Sequence, residues 1–449
     1  MRAHLVRFSS AALMASLAMA APVTGKDNQS LTLEEAIRMG LTNNPALAAE
    51  RSRTDAADQN ALAARALRWP RVTAEAALRR SDQQVVVFGD KLTAGEFTAN
   101  DFLLEKLNDP DAENHATAAL AISAPLYSSG RIRWGIESAR DEADSAHAMT
   151  TGAESRLVAE ITGAYFGISV ADAAVSVTEQ ALADAGRHEE VALARYEAGA
   201  SLKSDHLRAR VFRLGRQRDL ERRRADLALA RSRLARLITL PPGESVNPAT
   251  PLETPSRETG PLAEWTALAL ARSPHLAASR SLAGAADAGA HGTRALLGPE
   301  VNGFARYERN SDGLDTGEGS YLFGVALQWT AFDRARSARI AGALAISTTA
   351  EATLRAAEDQ VRLEVERVWH DVEVADATLL LNREAVAAAI DALRISADRY
   401  EGGLLPLTDL LDIETELLNA RHQELVALFD AVVGRVRLEH VSGSLEVSR

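Results

Sequence analysis

The 449-residue sequence contains no cysteine. Disulfides, zinc–thiolate centres and cysteine nucleophiles are therefore excluded, as is a lipid anchor carried on an N-terminal cysteine. Aromatic residues make up only 5% of the chain, while alanine is abundant. That balance favours long helices packed side by side over a conventional globular core. Proline is missing from two long stretches, between Pro125 and Pro241 and between Pro299 and Pro406. A proline inside a helix costs about 3 kcal/mol, so these gaps permit helices of unusual length. Beyond the N-terminus no apolar run reads as a transmembrane helix. An exported chain of this kind is soluble or crosses a membrane only as a closed β-barrel, which also satisfies its backbone in lipid. The formal charge is −12, with both signs intermixed apart from a small basic cluster at Arg222-Arg223-Arg224. Such an acidic chain argues against nucleic-acid binding.

What is present is a duplication. Leu41-Thr42-Asn43-Asn44-Pro45-Ala46-Leu47-Ala48-Ala49 returns as Leu270-Ala271-Arg272-Ser273-Pro274-His275-Leu276-Ala277-Ala278. At the same offset, Arg65-Ala66-Leu67-Arg68-Trp69-Pro70 returns as Arg294-Ala295-Leu296-Leu297-Gly298-Pro299. At a shorter offset, Arg195-Tyr196-Glu197-Ala198-Gly199 returns as Arg399-Tyr400-Glu401-Gly402-Gly403. The period far exceeds the roughly 20–50 residues of solenoid and propeller repeats, so half a molecule is repeated. Residues 1–20 read as a secretory signal peptide, with Arg2 and Arg7 before the apolar run Ala11 to Met19 and small residues at Ala18-Met19-Ala20. The expected units are then residues 21–240 and 262–449. A proline-rich linker over 241–261, holding six of the 14 prolines, joins them.

The proline-free stretches predict helices over about 131–198 and 335–400, each roughly 100 Å long at 1.5 Å per residue. In the second, Val361, Val365, Val368, Val372, Ala375, Leu379, Asn382, Val386, Ala389, Leu393, Ser396 and Tyr400 step alternately by four and three. Sustained heptads mean coiled-coil packing. Return helices follow the tips at Gly199 and Gly402-Gly403, where glycine can take the left-handed conformation that ends a helix. Before each hairpin lie two alternating strand segments: Val72 to Leu78 with Ala116 to Leu126, and Val301 to Tyr307 with Tyr321 to Trp329. Polar loops over 81–115 and 308–320 join each pair. Trp329, at a strand end, could belong to a membrane-interface girdle.

Four strands per chain fall short of about eight, the smallest closed transmembrane barrel. If these strands span a membrane, several copies must share one barrel, because open edges are unsatisfied in lipid. The alternative is two soluble β-hairpins capping periplasmic coiled coils. The fold expected is α+β: four membrane β-barrel strands per chain, continued by a long antiparallel α-helical coiled-coil barrel, internally duplicated.

In this layout the chain resembles the TolC family of outer-membrane efflux proteins. The resemblance rests on the Asn44-Pro45-Ala46-Leu47 and Ser273-Pro274-His275-Leu276 starts, on the strand-pair-then-long-helix order, and on the paired Arg-Tyr-Glu tips. It implies a homotrimer with a 12-stranded barrel in outer-membrane lipid and a helical tunnel across the periplasm. It also implies two partners, a periplasmic adaptor and an inner-membrane pump, and no cofactor. By the tip motif, Asp409 and Asp412 would form acidic rings narrowing the entrance. A field of six carboxylates favours cations; two solvated carboxylates complementing a helix macrodipole are the plainer reading. Tyr400 and Asp205 would belong to the gate, and Gly199, Ala200, Gly403 and Leu404 would meet the adaptor. The family's best-studied member has an arginine where this chain has Leu405, so a salt bridge from residue 405 cannot close the entrance. Closure then rests on Tyr400, Asp205 and Lys203, or on packing.

Enzyme readings find no support. The ten histidines show no metal-ligand spacing, and no nucleophile elbow, P-loop or dinucleotide fingerprint occurs in a suitable context. Two functional classes remain: an outer-membrane duct for tripartite efflux or type I protein secretion, and a periplasmic coiled-coil adaptor. An adaptor shows one helical hairpin framed by β-rich halves, whereas this chain shows two hairpins and two strand pairs.

Overall fold

A computed structural model describes residues 28–241, 244–254, 259–312 and 317–445; the signal peptide expected over 1–20 lies outside the described residues. The first half runs β1 (Asn28–Leu31), α1 (Leu33–Asn43), α2 (Pro45–Ala66), β2 (Arg71–Ser81), α3 (Gln84–Ala94), α4 (Leu104–Asn108), β3 (Glu113–Tyr127), α5 (Arg131–Glu197) and α6 (Lys203–Leu237). After β4 (Ser245–Pro248) come α7 (Leu262–Arg272), α8 (Pro274–Ala295), β5 (Glu300–Ser311), β6 (Glu318–Gln328), α9 (Arg334–Glu401) and α10 (Leu407–Ser442).

The repeated proline motifs build one joint twice. The residue before a proline is steered out of the helical region, and Asn44 and Ser273 sit at ψ 120° and 121°. Pro45 and Pro274 then open α2 and α8, where their missing N–H costs nothing. The Asn44 side chain caps α2 by accepting from the N–H groups of Ala46 and Leu47 at 2.9 and 3.2 Å.

Helices α5 and α9 have 67 and 68 residues and fill the proline-free stretches. The four-three seam of α9 faces inward: Val361, Val365, Val368, Val372, Ala375, Leu379, Ser396 and Tyr400 are buried. Half-buried Asn382 donates to the Gln423 carbonyl on α10 at 3.0 Å. Helix α5 pairs with α6, α9 pairs with α10, and α5 also packs along α10 and α8. The two hairpins thus form one stave. Contrary to the expectation that no run beyond the N-terminus suits a transmembrane helix, one window of α5 is long and apolar enough to cross a membrane by length and composition. In the fold α5 buries Leu157, Val158, Ile161, Tyr165 and Ile168 against Leu47, Leu234 and Ile238 in an apolar cluster. Each fully buried aliphatic side chain there contributes about 1.5–3 kcal/mol.

The proline-rich segment does more than link the halves. Ser245–Pro248 pairs in parallel with β1, and Val246 is fully buried. The Tyr165 hydroxyl donates to the Leu31 carbonyl at 2.7 Å and accepts from the Thr250 N–H at 2.8 Å, fastening both strands to α5.

The remaining strands form one antiparallel sheet in the order β2-β3-β5-β6. Val72 lies opposite Ile122, Leu120 opposite Tyr307, and Ala305 opposite Phe323, so the register sorts side chains onto two faces. One face carries Val72, Leu78, Leu120, Ile122, Tyr307, Tyr321, Phe323, Val325 and Leu327, all 40–77% exposed. The other carries a polar chain. Arg306 binds Glu75 at 3.1 Å and Glu308 at 2.9 Å, and Asn310 Oδ1 lies 3.0 Å from Thr117 Oγ1 and 3.1 Å from His115 Nε2. An exposed apolar face backed by an ionised one inverts the soluble pattern and matches a transmembrane barrel wall. Strands of 11–15 residues are long enough for a tilted span. Among the described residues β2 and β6 each pair on one side only.

One expectation needs correction. The connection read as a polar loop over 81–115 is largely helical. Val87, Asp90 and Ala94, spaced by three and four, are the buried face of α3, which Gly95 ends at φ 71°. Gly89, within Phe88-Gly89-Asp90-Lys91-Leu92, points to a loop because glycine is a poor helix former; docking on the sheet overrides that preference.

Candidate functional site

The stave ends, remote from the sheet, in two turns, one joining α5 to α6 and one joining α9 to α10. Gly199 and Gly403 take φ 70° and 76°. In each turn two bonds close the helix: Gly199 N–H to Tyr196 O and Ala200 N–H to Arg195 O, then Gly403 N–H to Tyr400 O and Leu404 N–H to Arg399 O. This is the glycine-dependent C-terminal motif. A Cβ at either glycine would meet nothing within 4 Å, so backbone conformation, not crowding, requires them. Ala200 is exposed, and Leu202 and Leu404 expose 70% and 81% of their surface.

The turns are pseudo-symmetric in sequence but not in use. Tyr400 is buried with Ala192, Ala209, Leu407, Leu410 and Leu411, and Leu405 packs against them. Its counterpart Tyr196 is 39% exposed. The Arg195 guanidinium lies 4.4 Å from the Tyr400 ring centroid. It also donates to the carbonyls of Tyr400 and Glu401 at 2.7 and 2.8 Å. A cation on the last carbonyls of α9 satisfies groups the helix leaves unpaired and complements its dipole. Burial pushes the Tyr400 phenol above its ordinary pKa, opposed by Arg195 and reinforced by the Asp205 carboxylate. The hydroxyl therefore stays neutral at physiological pH. Lys203 is exposed and forms no ion pair among the described residues.

Asp409 and Asp412 follow on α10, both exposed. Asp409 Oδ1 accepts from Thr408 Oγ1 at 3.1 Å. Glu416 continues the same exposed face, since positions three and seven residues apart share a side of the helix. The face behind them ties the hairpins together. Glu414 meets His188 Nε2 on α5 at 2.5 Å, and Arg216 on α6 donates to Thr415 Oγ1 at 2.8 Å.

All eight residues singled out in the sequence thus lie at one end of the stave. Tyr400 and Asp205 are brought together across the hairpins, as are the two glycine turns. Sequence reasoning missed Arg195, His188 and Glu416. Arg195 stood in the quoted repeat, and the two-fold occurrence of Arg-Tyr-Glu was its signal. Glu416 could have been found from its four-residue spacing after Asp412. No group of three or more metal-ligating side chains occurs among the described residues.

The family model described as outer membrane efflux protein matches residues 36–239 and 265–444. The chain belongs to the outer membrane efflux protein family. Protein CyaE of Bordetella pertussis is 27% identical over 409 residues, covering 88% of this chain and 80% of that protein. Outer membrane efflux protein BepC of Brucella suis is 21% identical over 427 residues, covering 94% and 88%. The crystal structure of CusC superposes with a TM-score of 0.79 at 17% identity, covering 92% of both chains. As an outer membrane efflux protein, the chain shares the fold of CusC, a transmembrane channel, over both its sheet and its long helices.

Proposed function

We propose that three copies of this chain assemble into one exit duct for efflux, with 12 strands in the membrane and six helical hairpins below. The sheet carries this reading. Its apolar face is exposed, its opposite face is ionised, and both edge strands lack a second partner among the described residues. Lipid leaves unpaired edges unsatisfied, so neighbouring copies supply the missing strands. Twelve is an even number within the range of outer-membrane barrels.

At the opposite end, Asp409 and Asp412 of three copies form acidic rings around the entrance, extended by Glu416. Tyr400, Arg195 and the field of Asp205 hold the second hairpin against the first and keep the entrance narrow. Leu405 supports that state by packing. Gly199, Ala200, Gly403 and Leu404 are the contact points of a periplasmic adaptor that couples the duct to an inner-membrane pump. The exposed Leu202 and Leu404 beside them suit a docking surface. Passage through such a duct requires no bond-making by this chain, so no residue is given a catalytic role.

Purified protein in planar bilayers tests the reading. The expected result is discrete, cation-selective conductance that multivalent cations block. Replacing Asp409 and Asp412 together with alanine lowers the selectivity and weakens the block. Unchanged selectivity would remove the acidic rings, and the absence of any conductance would remove the duct.

A further inference from the structure

We propose that the helical insert between β2 and β3 is a cap on the inner side of the barrel mouth, and that its apolar outer surface packs against the same surface of the other copies. The duct then has a second constriction, at its extracellular end. This inference rests on the shared-barrel reading above.

The insert joins two strands at the end of the sheet opposite the long helices, which is the extracellular end when the helices are periplasmic. Its seat is the polar face. Asp90 on α3 is 7% exposed and ion-paired to Arg79 of β2. It also lies 3.8 Å from Nε2 of His115, whose ring contacts Asn310 of β5. Arg79, His115 and Asn310 all carry the register of Glu75 and Arg306, the side away from the exposed apolar band. Gly95, which ends α3, approaches Glu318 at the start of β6; a Cβ there would meet Glu318 Cγ at 2.9 Å. The insert therefore crosses from β2 to β6 over the inner face.

It is built to hold its shape. Lys91 binds Asp101 at 2.7 Å and Glu113 at 3.3 Å, and Phe88, Phe97 and Phe102 pack with ring centroids 4.8–6.4 Å apart. The hydrogen bond to Asp101 raises the Lys91 pKa, so this cation persists across physiological pH.

Apolar side chains also point outward. The buried face of α3 holds Val87, Asp90 and Ala94, and the opposite face exposes Val85 by 81% and Leu92 by 61%. Next to them Phe102, Leu103 and Leu104 are 57%, 54% and 77% exposed. Lipid does not cover this surface, because the insert sits on the inner side of the wall. With the wall completed by other copies around one axis, what lies across from each cap is another cap. A ring of apolar side chains in a water-filled bore also constricts flow by expelling water.

The cysteine-free chain allows a direct test. Leu92→Cys and Leu104→Cys, each a lone cysteine, are treated in intact cells with a short bis-maleimide, and Val325→Cys on the lipid face serves as control. Covalent dimers are expected from the two cap positions and none from the control. Native mass spectrometry of the same preparations reports assembly separately. Multi-chain assemblies without cross-links at either cap position overturn the cap and leave the shared barrel standing; a single-chain species overturns both. In a second measurement, Leu92→Asp with Leu104→Asp puts like charges across the axis. Single-channel conductance should rise by about twofold or more as water fills the ring, and unchanged conductance overturns the constriction.

Discussion

Replacing Arg195 with methionine should loosen the entrance. The substitution keeps most of the apolar stem but removes three contacts to the second hairpin. One is a charge-assisted hydrogen bond to the half-buried Tyr400 carbonyl at 2.7 Å. The second, to the exposed Glu401 carbonyl at 2.8 Å, competes with water and contributes little. The third is the guanidinium over the Tyr400 ring at 4.4 Å. Charge-assisted bonds contribute about 1.5–3 kcal/mol and exposed cation–π contacts about 0.5–1 kcal/mol. Taking the low ends, the loss is about 2 kcal/mol per chain, or roughly 30-fold in the balance between joined and parted hairpins. Three copies acting independently would compound it. Open probability in planar bilayers reads this directly. Arg195→Lys should fall between wild type and Arg195→Met, since an ammonium keeps the charge but loses the planar fork. An Arg195→Met channel that opens no more often than wild type would show that these contacts do not hold the entrance.

The two faces of the sheet give a second prediction. Phe323→Arg, on the exposed apolar face, should cost about 2–4 kcal/mol in lipid and reduce heat-modifiable assembly, while Leu322→Arg on the inner face should be tolerated; equal effects would contradict the assigned faces. Burial holds His422 and His440 below the ordinary histidine pKa, aided by Arg223 and Arg216 around the first and Arg156 beside the second. Both are neutral in the fold, so their contribution is complete above about pH 6.5 and is lost as pH falls toward their depressed values. Melting temperatures should drop over that range, and substituting both with asparagine should flatten the drop. Tyr165→Phe leaves the Leu31 carbonyl and the Thr250 N–H without their shared partner, at about 1–3 kcal/mol for each buried group. Faster proteolysis at the N-terminal strand would report it, and wild-type resistance would contradict it.

Much of the architecture was legible because it is periodic. The seam from Val361 to Tyr400 can be read as a line of residues, and it is buried as a line. The strands alternate strictly enough to expose their faces before any pairing is known. What escaped the sequence depends on contacts between distant segments. Ser245–Pro248 is a strand only because β1 and Tyr165 wait for it. Helix α3 docks through Asp90 on Arg79 and His115, partners that lie outside its own segment. The proposed entrance was half legible. Asp409, Asp412 and the glycine turns follow from spacing within one segment. Arg195 on Tyr400 joins positions about 200 residues apart, and pseudo-symmetry there misleads, since Arg399 and Tyr196 make no reciprocal contact among the described residues.

In the proposed duct this chain is one third of a wall. Native mass spectrometry of the protein released from outer membranes in mild detergent counts the copies. The expected result is a single species of three chains that survives until the barrel is heated. A monomer that remains folded and membrane-bound would contradict it, because four strands with two open edges would then have to sit in lipid alone.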